Sequence, residues 1–415
     1  MHSKYLILGS SHAALEAATA IRFHDVDGAV TLLTRDARLP YSPTILPYVV
    51  SGRSQPDNVV LRNEAWFRDN AVAFVPGVTV VAVDPAQSCL RLDSGETWTY
   101  ERLLIATGAT PALPPVRGLA DVPFRVLRSM DDAIELRNAI GHAKSAIVLG
   151  AGLIGMHAAE NMAKAGMAAS VIELQRHVLS AYFEPRASTI IEDAFARTGV
   201  RMLMDRTLVS VDRLRDRCIA TLNDGRTIVA DFLLVCTGAK PNIAFLDGSG
   251  IKADVGILVD DRMRTSLSNI WAAGDVAQAR GFWGEKVVNG ILPNAVEQGR
   301  IAGLDMADDS ELAPFLGAVP LNTYSFFGQQ AISVGVGQAG DGCEIEESGD
   351  EERGVYRRIV LKNGRLVGIA TINGFVDAGI MWQLIRRRAD LSAVKAAFMA
   401  DPRTTGRRLM SQLWR

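Results

Sequence analysis

Two stretches of this chain repeat one another. Tyr5-Leu-Ile-Leu-Gly9-Ser10-Ser11-His12-Ala13-Ala14 and Ala146-Ile-Val-Leu-Gly150-Ala151-Gly152-Leu153-Ile154-Gly155 each run an apolar strand into a small-residue turn and then a helix. A later pair repeats too. Leu103-Leu104-Ile105-Ala106-Thr107-Gly108-Ala109-Thr110-Pro111 matches Leu233-Leu234-Val235-Cys236-Thr237-Gly238-Ala239-Lys240-Pro241. So the chain holds two units with the same opening and the same closing strand, which confines it to a doubled α/β architecture. A strand entering a helix through such a turn offers backbone N–H groups and the positive end of the helix to a pyrophosphate. One such turn is a weak sign. Two predict two dinucleotides and electron passage between them.

The 415 residues exceed one ordinary core, so two or three domains are expected. The net charge of −2 gives no pull toward nucleic acid or a membrane surface. The N-terminus enters a strand without a charged-then-apolar leader, and no apolar run reaches the roughly 18–20 residues of a membrane span. The expectation is a cytoplasmic protein. Cys89, Cys218, Cys236 and Cys343 are scattered. That spacing speaks against a disulfide framework, a zinc site or a cysteine-ligated cluster, so no metal is assigned.

Along the chain, residues 71–100 alternate apolar and polar like a small antiparallel meander. Pro111-Ala-Leu-Pro114-Pro115 reads as a stiff connector. A second meander is expected over Arg201–Val211, Cys218–Leu222 and Thr227–Val229. Ile270-Trp-Ala-Ala-Gly274-Asp275 is a further strand ending in Gly-Asp, with a helix from Pro293-Asn294-Ala295. From about Gly317 short strands give way to a helical tail. Residues 341–352, rich in acid (Asp341, Glu344, Glu346, Glu347, Asp350, Glu351, Glu352), read as a solvated loop. The tail from Arg386 to Arg415 carries eight basic side chains against Asp390 and Asp401. It reads either as a solvated helix face or as an electrostatic dock for an acidic partner, with Trp382, Phe398 and Trp414 as anchors.

These motifs, over essentially the whole length, resemble the pyridine nucleotide–disulfide oxidoreductases. The resemblance implies an α/β fold with two Rossmann-like domains for FAD and NAD, the NAD domain inserted in the FAD domain, and a C-terminal α+β interface domain. The corresponding divisions are 1–113 and 247–316 for FAD, 114–246 for NAD and 317–415 for the interface. It implies an FAD site from Gly9, Ser11, His12, Ala14, Asp36, Val80, Ala106, Thr107, Gly108, Asp275, Asn294 and Ala295, with Asp275 toward the ribitol hydroxyls and the Pro293-Asn294-Ala295 helix toward the flavin pyrimidine. It implies an NAD site from Gly150, Gly152, Leu153, Ile154, Gly155, Glu173, Thr237 and Gly238.

The NAD turn fits the full G-x-G-x-x-G pattern, and Glu173 at the end of the next strand accepts ribose hydroxyls and repels a 2′-phosphate, favouring NAD over NADP. Arg176 and His177 leave some NADP tolerance open. The FAD turn departs from the pattern. Ser11 and Ala14 stand for the second and third glycines, Asp36 falls at or one past the expected acid, and His12 is either a phosphate donor or a surface imidazole. No cysteine precedes Cys89, although the disulfide-reducing branch keeps its redox cysteine near Arg38–Pro47. A thiolate is what carries electrons to disulfides, so that chemistry is disfavoured. Where many relatives hold a Glu–Lys pair near flavin N5, this chain places His157 and Tyr48 as the catalytic candidates; His157 is expected to lie near flavin N5 and to gate proton and hydride traffic, its plainer reading being a packed helix histidine.

The combination of Gly9-Ser-Ser-His-Ala-Ala, Tyr41-Ser-Pro-Thr-Ile-Leu-Pro and Gly155-Met-His157 is most similar to the FAD subunits of anaerobic aromatic-degradation complexes. The implied activity is FAD-dependent NAD(H) oxidoreduction. Electrons would pass between a partner's iron–sulfur clusters and NAD in a multi-subunit dehydrogenase or aldehyde oxidoreductase. The alternatives are a free-standing NADH-dependent ferredoxin or rubredoxin reductase and a flavin-binding assembly subunit.

Overall fold

The computed structural model describes residues 1–337, 339–350 and 353–413. It divides into two compact units. One comprises Met1–Ile45, Ser54–Thr110 and Ala239–Ala318; the other comprises Leu46–Arg53, Pro111–Gly238 and Val319–Arg415.

The first unit is built on a seven-stranded sheet. His2–Leu8 lies between Val30–Thr34 and Thr97–Ile105, with Val72–Pro76 outside Val30–Thr34, all parallel. Strands such as Val30–Thr34 are buried throughout because a parallel sheet is covered on both faces. The nine-residue strand Thr97–Ile105 serves twice. Its C-terminal half takes Ile270–Ala272 in parallel, and its N-terminal half takes Cys89–Leu92 antiparallel, which in turn pairs with Val80–Asp84. The expected meander is therefore shorter than residues 71–100, because Val72–Pro76 joins the parallel core. Helix His12–His24 packs on helix Leu292–Met306 at very close range. A Cβ on Gly299 would stand 2.2 Å from the carbonyl oxygen of Ala13, and one on Gly303 2.4 Å from that of Ala17.

The second unit repeats the plan with five parallel strands in the order Arg201–Leu203, Ala168–Ile172, Ser145–Leu149, Phe232–Val235 and Phe124–Arg125. An antiparallel trio follows, Leu208–Leu214, Arg217–Leu222 and Thr227–Ala230. The C-terminal segment adds a five-stranded antiparallel sheet, in the order Leu321–Phe326, Gln329–Gly335, Arg365–Ile372, Val355–Lys362 and Glu344–Asp350, with helices Ala378–Arg386, Lys395–Ala400 and Pro402–Leu413. The acidic stretch is thus an edge strand over Glu344–Asp350 rather than a loop. Edge strands pair on one side only and tolerate charge on the exposed faces, so apolar alternation is not required. Glu351 and Glu352 lie outside the described residues.

The short helix Leu46–Val50 belongs to the second unit. It packs against helices Met130–His142 and Leu153–Lys164.

Candidate functional site

The two turns are bonded alike. Gly9 N–H donates to Leu33 O at 2.8 Å and Ala106 N–H to Leu8 O at 2.8 Å; Gly150 N–H donates to Ile172 O at 2.8 Å and Cys236 N–H to Leu149 O at 2.7 Å. Both glycines hold positive φ, 121° and 105°. A Cβ on Gly9 would meet Ala106 O at 2.2 Å, and one on Gly150 would meet Cys236 O at 2.3 Å. Each first glycine is therefore required by the closing strand, which only a residue without Cβ lets pass. Behind the turns, Thr107 Oγ1 donates to Asn242 O at 3.0 Å and Thr237 Oγ1 to Ala112 O at 2.7 Å. The hydroxyls at both positions therefore tie the chain to itself. Gly108 and Gly238 turn it at φ 66° and 103°.

At the second turn, a Cβ on Gly152 would meet nothing within 4 Å, and Gly152 is the N-cap of helix Leu153–Lys164 without a side-chain cap. The open space and the uncapped N–H groups suit a pyrophosphate. Leu153 and Ile154 form the first turn, Ile154 exposed. Gly155 is an internal requirement, since its Cβ would stand 2.0 Å from Gly150 O. Glu173 accepts from Ala151 N–H at 2.7 Å and from Gln175 N–H at 2.8 Å. Its carboxylate is thus tethered at the mouth of the turn, where ribose hydroxyls would lie. Of the residues that left NADP open, His177 sits 3.4 Å from Glu192 and Arg176 is exposed.

At the first turn, Ser11 is the N-cap of His12–His24 and makes no side-chain cap, leaving its hydroxyl and the helix N–H groups available. Ala14 is fully buried, in the place of a third glycine. His12 Nε2 lies 2.8 Å from Ser42 Oγ, which lies 2.8 Å from Thr44 Oγ1. Burial, then the nearby Arg62 guanidinium, lowers the His12 pKa, so its imidazole is neutral and ties the helix to the Tyr41–Thr44 loop. Asp36 accepts from Arg38 N–H at 3.0 Å and Tyr41 Oη at 2.6 Å, which closes its own loop. Val80, half-buried, opens its strand opposite Leu92.

The same unit brings up the Gly274–Asp275 turn. Gly274, φ 79°, donates its N–H to Gln298 Oε1 at 2.9 Å, and a Cβ there would lie 3.2 Å from the Ala13 methyl and 3.8 Å from that of Ala295. So the starts of helices His12–His24 and Leu292–Met306 converge on the strand end that carries the half-exposed Asp275. The Asn294 side chain is 1 % exposed and both its amide atoms lack a hydrogen-bond partner. It is closed off from solvent, and what this helix offers a ligand is its uncapped N–H groups.

Tyr48 and His157 fall in the second unit, on the packed helices Leu46–Val50 and Leu153–Lys164. Tyr48 is exposed, at 41 %, while Leu46, Pro47, Val49 and Val50 are buried. His157 is half-buried, with its ring edge-on to Tyr324 at 4.7 Å and 83°. Its pKa is lowered, first by burial and then by Lys164, against an opposing pull from Glu160. The buried Glu160 accepts from Phe327 N–H at 2.7 Å and Lys164 Nζ at 2.5 Å. Asn161, one turn on from His157, donates to Pro47 O at 3.1 Å. Asn161 carries no sequence signal, because its partner is a backbone carbonyl remote in the chain, and Glu160 shows in the sequence only its four-apart pairing with Lys164.

Burial pushes Cys236 up to about 12 and raises Cys89 and Cys218, so none of these three is a ready thiolate. The C-terminal anchors expected for a partner are core residues. Phe398 is fully buried, and Trp382 donates its indole N–H to Val319 O at 3.0 Å under the Arg386 guanidinium. Arg403 and Arg407 face Asp377, and Lys395 faces Glu344, so part of the basic excess is met locally. Trp414 and Arg415 lie outside the described residues. No described helix is long and apolar enough to cross a membrane, and among the described residues no His/Cys/Asp/Glu group could hold a metal.

These residues match known proteins closely. Residues 3–299 match the pyridine nucleotide-disulphide oxidoreductase family and residues 320–389 the rubredoxin NAD+ reductase C-terminal domain. The chain is 49 % identical over 416 residues to the NADH-dependent phenylglyoxylate dehydrogenase subunit epsilon of Aromatoleum evansii, covering 100 % of this chain and 99 % of the relative. It is 28 % identical to the rubredoxin-NAD(+) reductase of Pseudomonas putida, covering 89 % and 95 %. It superposes on a ferredoxin reductase from Rhodopseudomonas palustris with a TM-score of 0.81 and 27 % identity, covering 89 % and 91 %. Membership implies FAD and NAD(H), and the open space at Gly152 and the uncapped Ser11 fit both groups. The chain belongs to the pyridine nucleotide-disulphide oxidoreductase family and is an NAD(H)-dependent flavin oxidoreductase.

Proposed function

We propose that this chain is the electron-transfer subunit of a larger dehydrogenase, exchanging electrons between NAD(H) and a partner's iron–sulfur clusters. The carrying observation is the pairing of two matching nucleotide turns with a chain that has no cysteine before Cys89 and whose Cys89, Cys218 and Cys236 thiols are raised by burial, so the Arg38–Pro47 region offers electrons leaving the flavin no thiolate route to a disulfide. Bound FAD would supply the conversion between a two-electron hydride and single electrons. The full-length likeness to a subunit named for phenylglyoxylate dehydrogenase supports a partner of that kind, and an aromatic 2-oxo acid as the complex's substrate class.

The residues divide the work. Ser11 and the N–H groups opening His12–His24 would hold the FAD pyrophosphate, Asp275 the ribitol, and the N–H groups opening Leu292–Met306 the pyrimidine edge. Thr107 and Gly108 shape the wall behind. Gly152 and the helix after it would hold the NAD pyrophosphate, and Glu173 the adenosine ribose. His157 and Tyr48 would order the hydride step, His157 as a neutral imidazole that takes no charge into a buried site.

Anoxic native purification with flavin and iron analysis tests the proposal. Stoichiometric co-purification with an iron–sulfur subunit, and NADH-driven bleaching of one flavin per chain, are the expected results. A lone flavoprotein that reduces added rubredoxin or ferredoxin would point instead to a free-standing reductase, which the match over residues 320–389 favours as the second reading. Flavin that NADH leaves oxidised would point to an assembly role.

A further inference from the structure

Helix Leu153–Lys164 opens on the nucleotide turn, and its later turns carry a polar face that nucleotide binding leaves unused. Residues four apart share a helix face, which sets Asn161 beside His157. Asn161 Nδ2 donates at 3.1 Å to the carbonyl of Pro47, which also accepts Ser51 N–H at 3.1 Å. Pro47 is the second residue of the five-residue helix Leu46–Val50. A helix so short has no stability of its own, and its place is set by what grips it. Its apolar residues are buried, and a buried apolar contact is non-directional. The Asn161 bond is directional, and it holds the residue immediately before Tyr48, the exposed member of that turn.

We propose that Asn161 is a positioning residue for the hydride step: its bond to Pro47 fixes the turn that presents Tyr48 against the helix carrying His157. This rests on the reading of Tyr48 and His157 given above. It gives the chain a means of keeping a short helix in register.

The test uses the full chain loaded with FAD, and the same chain stripped of it. In Asn161→Ala, amide hydrogen exchange over Tyr48–Ser51 should quicken in the flavin-free protein. The limiting rate of flavin reduction by NADH should fall roughly 10- to 100-fold, the range of small misplacements. The NADH dissociation constant and flavin content should hold within about twofold. Asn161→Gln, which keeps a donor, should recover part of the rate. Asn161→Ala combined with Tyr48→Phe should be no slower than the worse single variant. An unchanged reduction rate, a loss confined to NADH affinity, or effects that multiply in the double variant would each overturn the proposal. If Tyr48→Phe and His157→Ala both reduce at the parent rate, the underlying reading of the site has failed, and the proposal falls with it. If they slow reduction and Asn161→Ala does not, only the proposal falls.

Discussion

At the scale of single residues, Glu173 and the two half-buried histidines give the sharpest expectations. Glu173 is pinned by Ala151 N–H, so its carboxylate is already oriented before any nucleotide arrives. Glu173→Ala should raise the NADH dissociation constant roughly 10- to 100-fold, the worth of a charged hydrogen bond, and narrow the preference over NADPH. Equilibrium titration with both nucleotides checks this. His12 and His157 are both lowered from 6.5, chiefly by burial. Below about 6.5 the unfolded chain takes up protons that the folded chain refuses, so stability rises with pH across that window. The stabilisation is complete above about 6.5 and is lost as the pH falls from there through the lowered folded-state values. His157→Gln should therefore flatten the acid side of a plot of thermal midpoint against pH. A parallel curve would show that His157 is not held neutral.

At the scale of elements, the pairing of helices His12–His24 and Leu292–Met306 depends on Gly299 and Gly303. Gly303→Ala drives a methyl to 2.4 Å from Ala17 O, and the helix must shift. A loss of about 1–3 kcal/mol is expected, the usual cost of overpacking, together with weaker flavin retention. Gly141→Ala, where a Cβ meets nothing within 4 Å, should instead stabilise by about 0.5–1 kcal/mol through helix propensity. Chemical denaturation of the two variants separates crowding from propensity. The central parallel strands and both turns were legible in the sequence because burial on two faces leaves an unbroken apolar run, whereas the outer parallel strands Val72–Pro76 and Arg201–Leu203 were read into the meanders because one side of each lies at a sheet edge. The strand Glu344–Asp350 was not, because an exposed edge pairs through its backbone and leaves its side chains unconstrained. Trp382 and Phe398 misled for a related reason, since an aromatic buried in its own domain and one kept for a partner look alike in sequence.

At the scale of the molecule, the residues assigned to FAD all fall in one compact unit, and those assigned to NAD in the other. Asp275→Ala should thus release flavin at least roughly 10-fold more readily while NADH binding to the flavin-free protein stays unchanged. Loss of both together would mean that the two sites depend on one another for folding. The doubled plan was readable from the matched openings and closings. That the segment Leu46–Arg53 folds with the second unit was not, because its hold includes a side chain on a backbone carbonyl 114 residues away.

The close approach of Ala106 O to Gly9 and of Cys236 O to Gly150 bears on how such chains are recognised. The glycine that most often betrays a nucleotide fold is demanded by the protein's own backbone, and a descendant that had lost its ligand would still have to keep it. The position free to drift is the one where no atom of the chain intrudes, Gly152. For a sequence of this kind, a bulky residue at that second position is the earlier mark of a binding site fallen out of use.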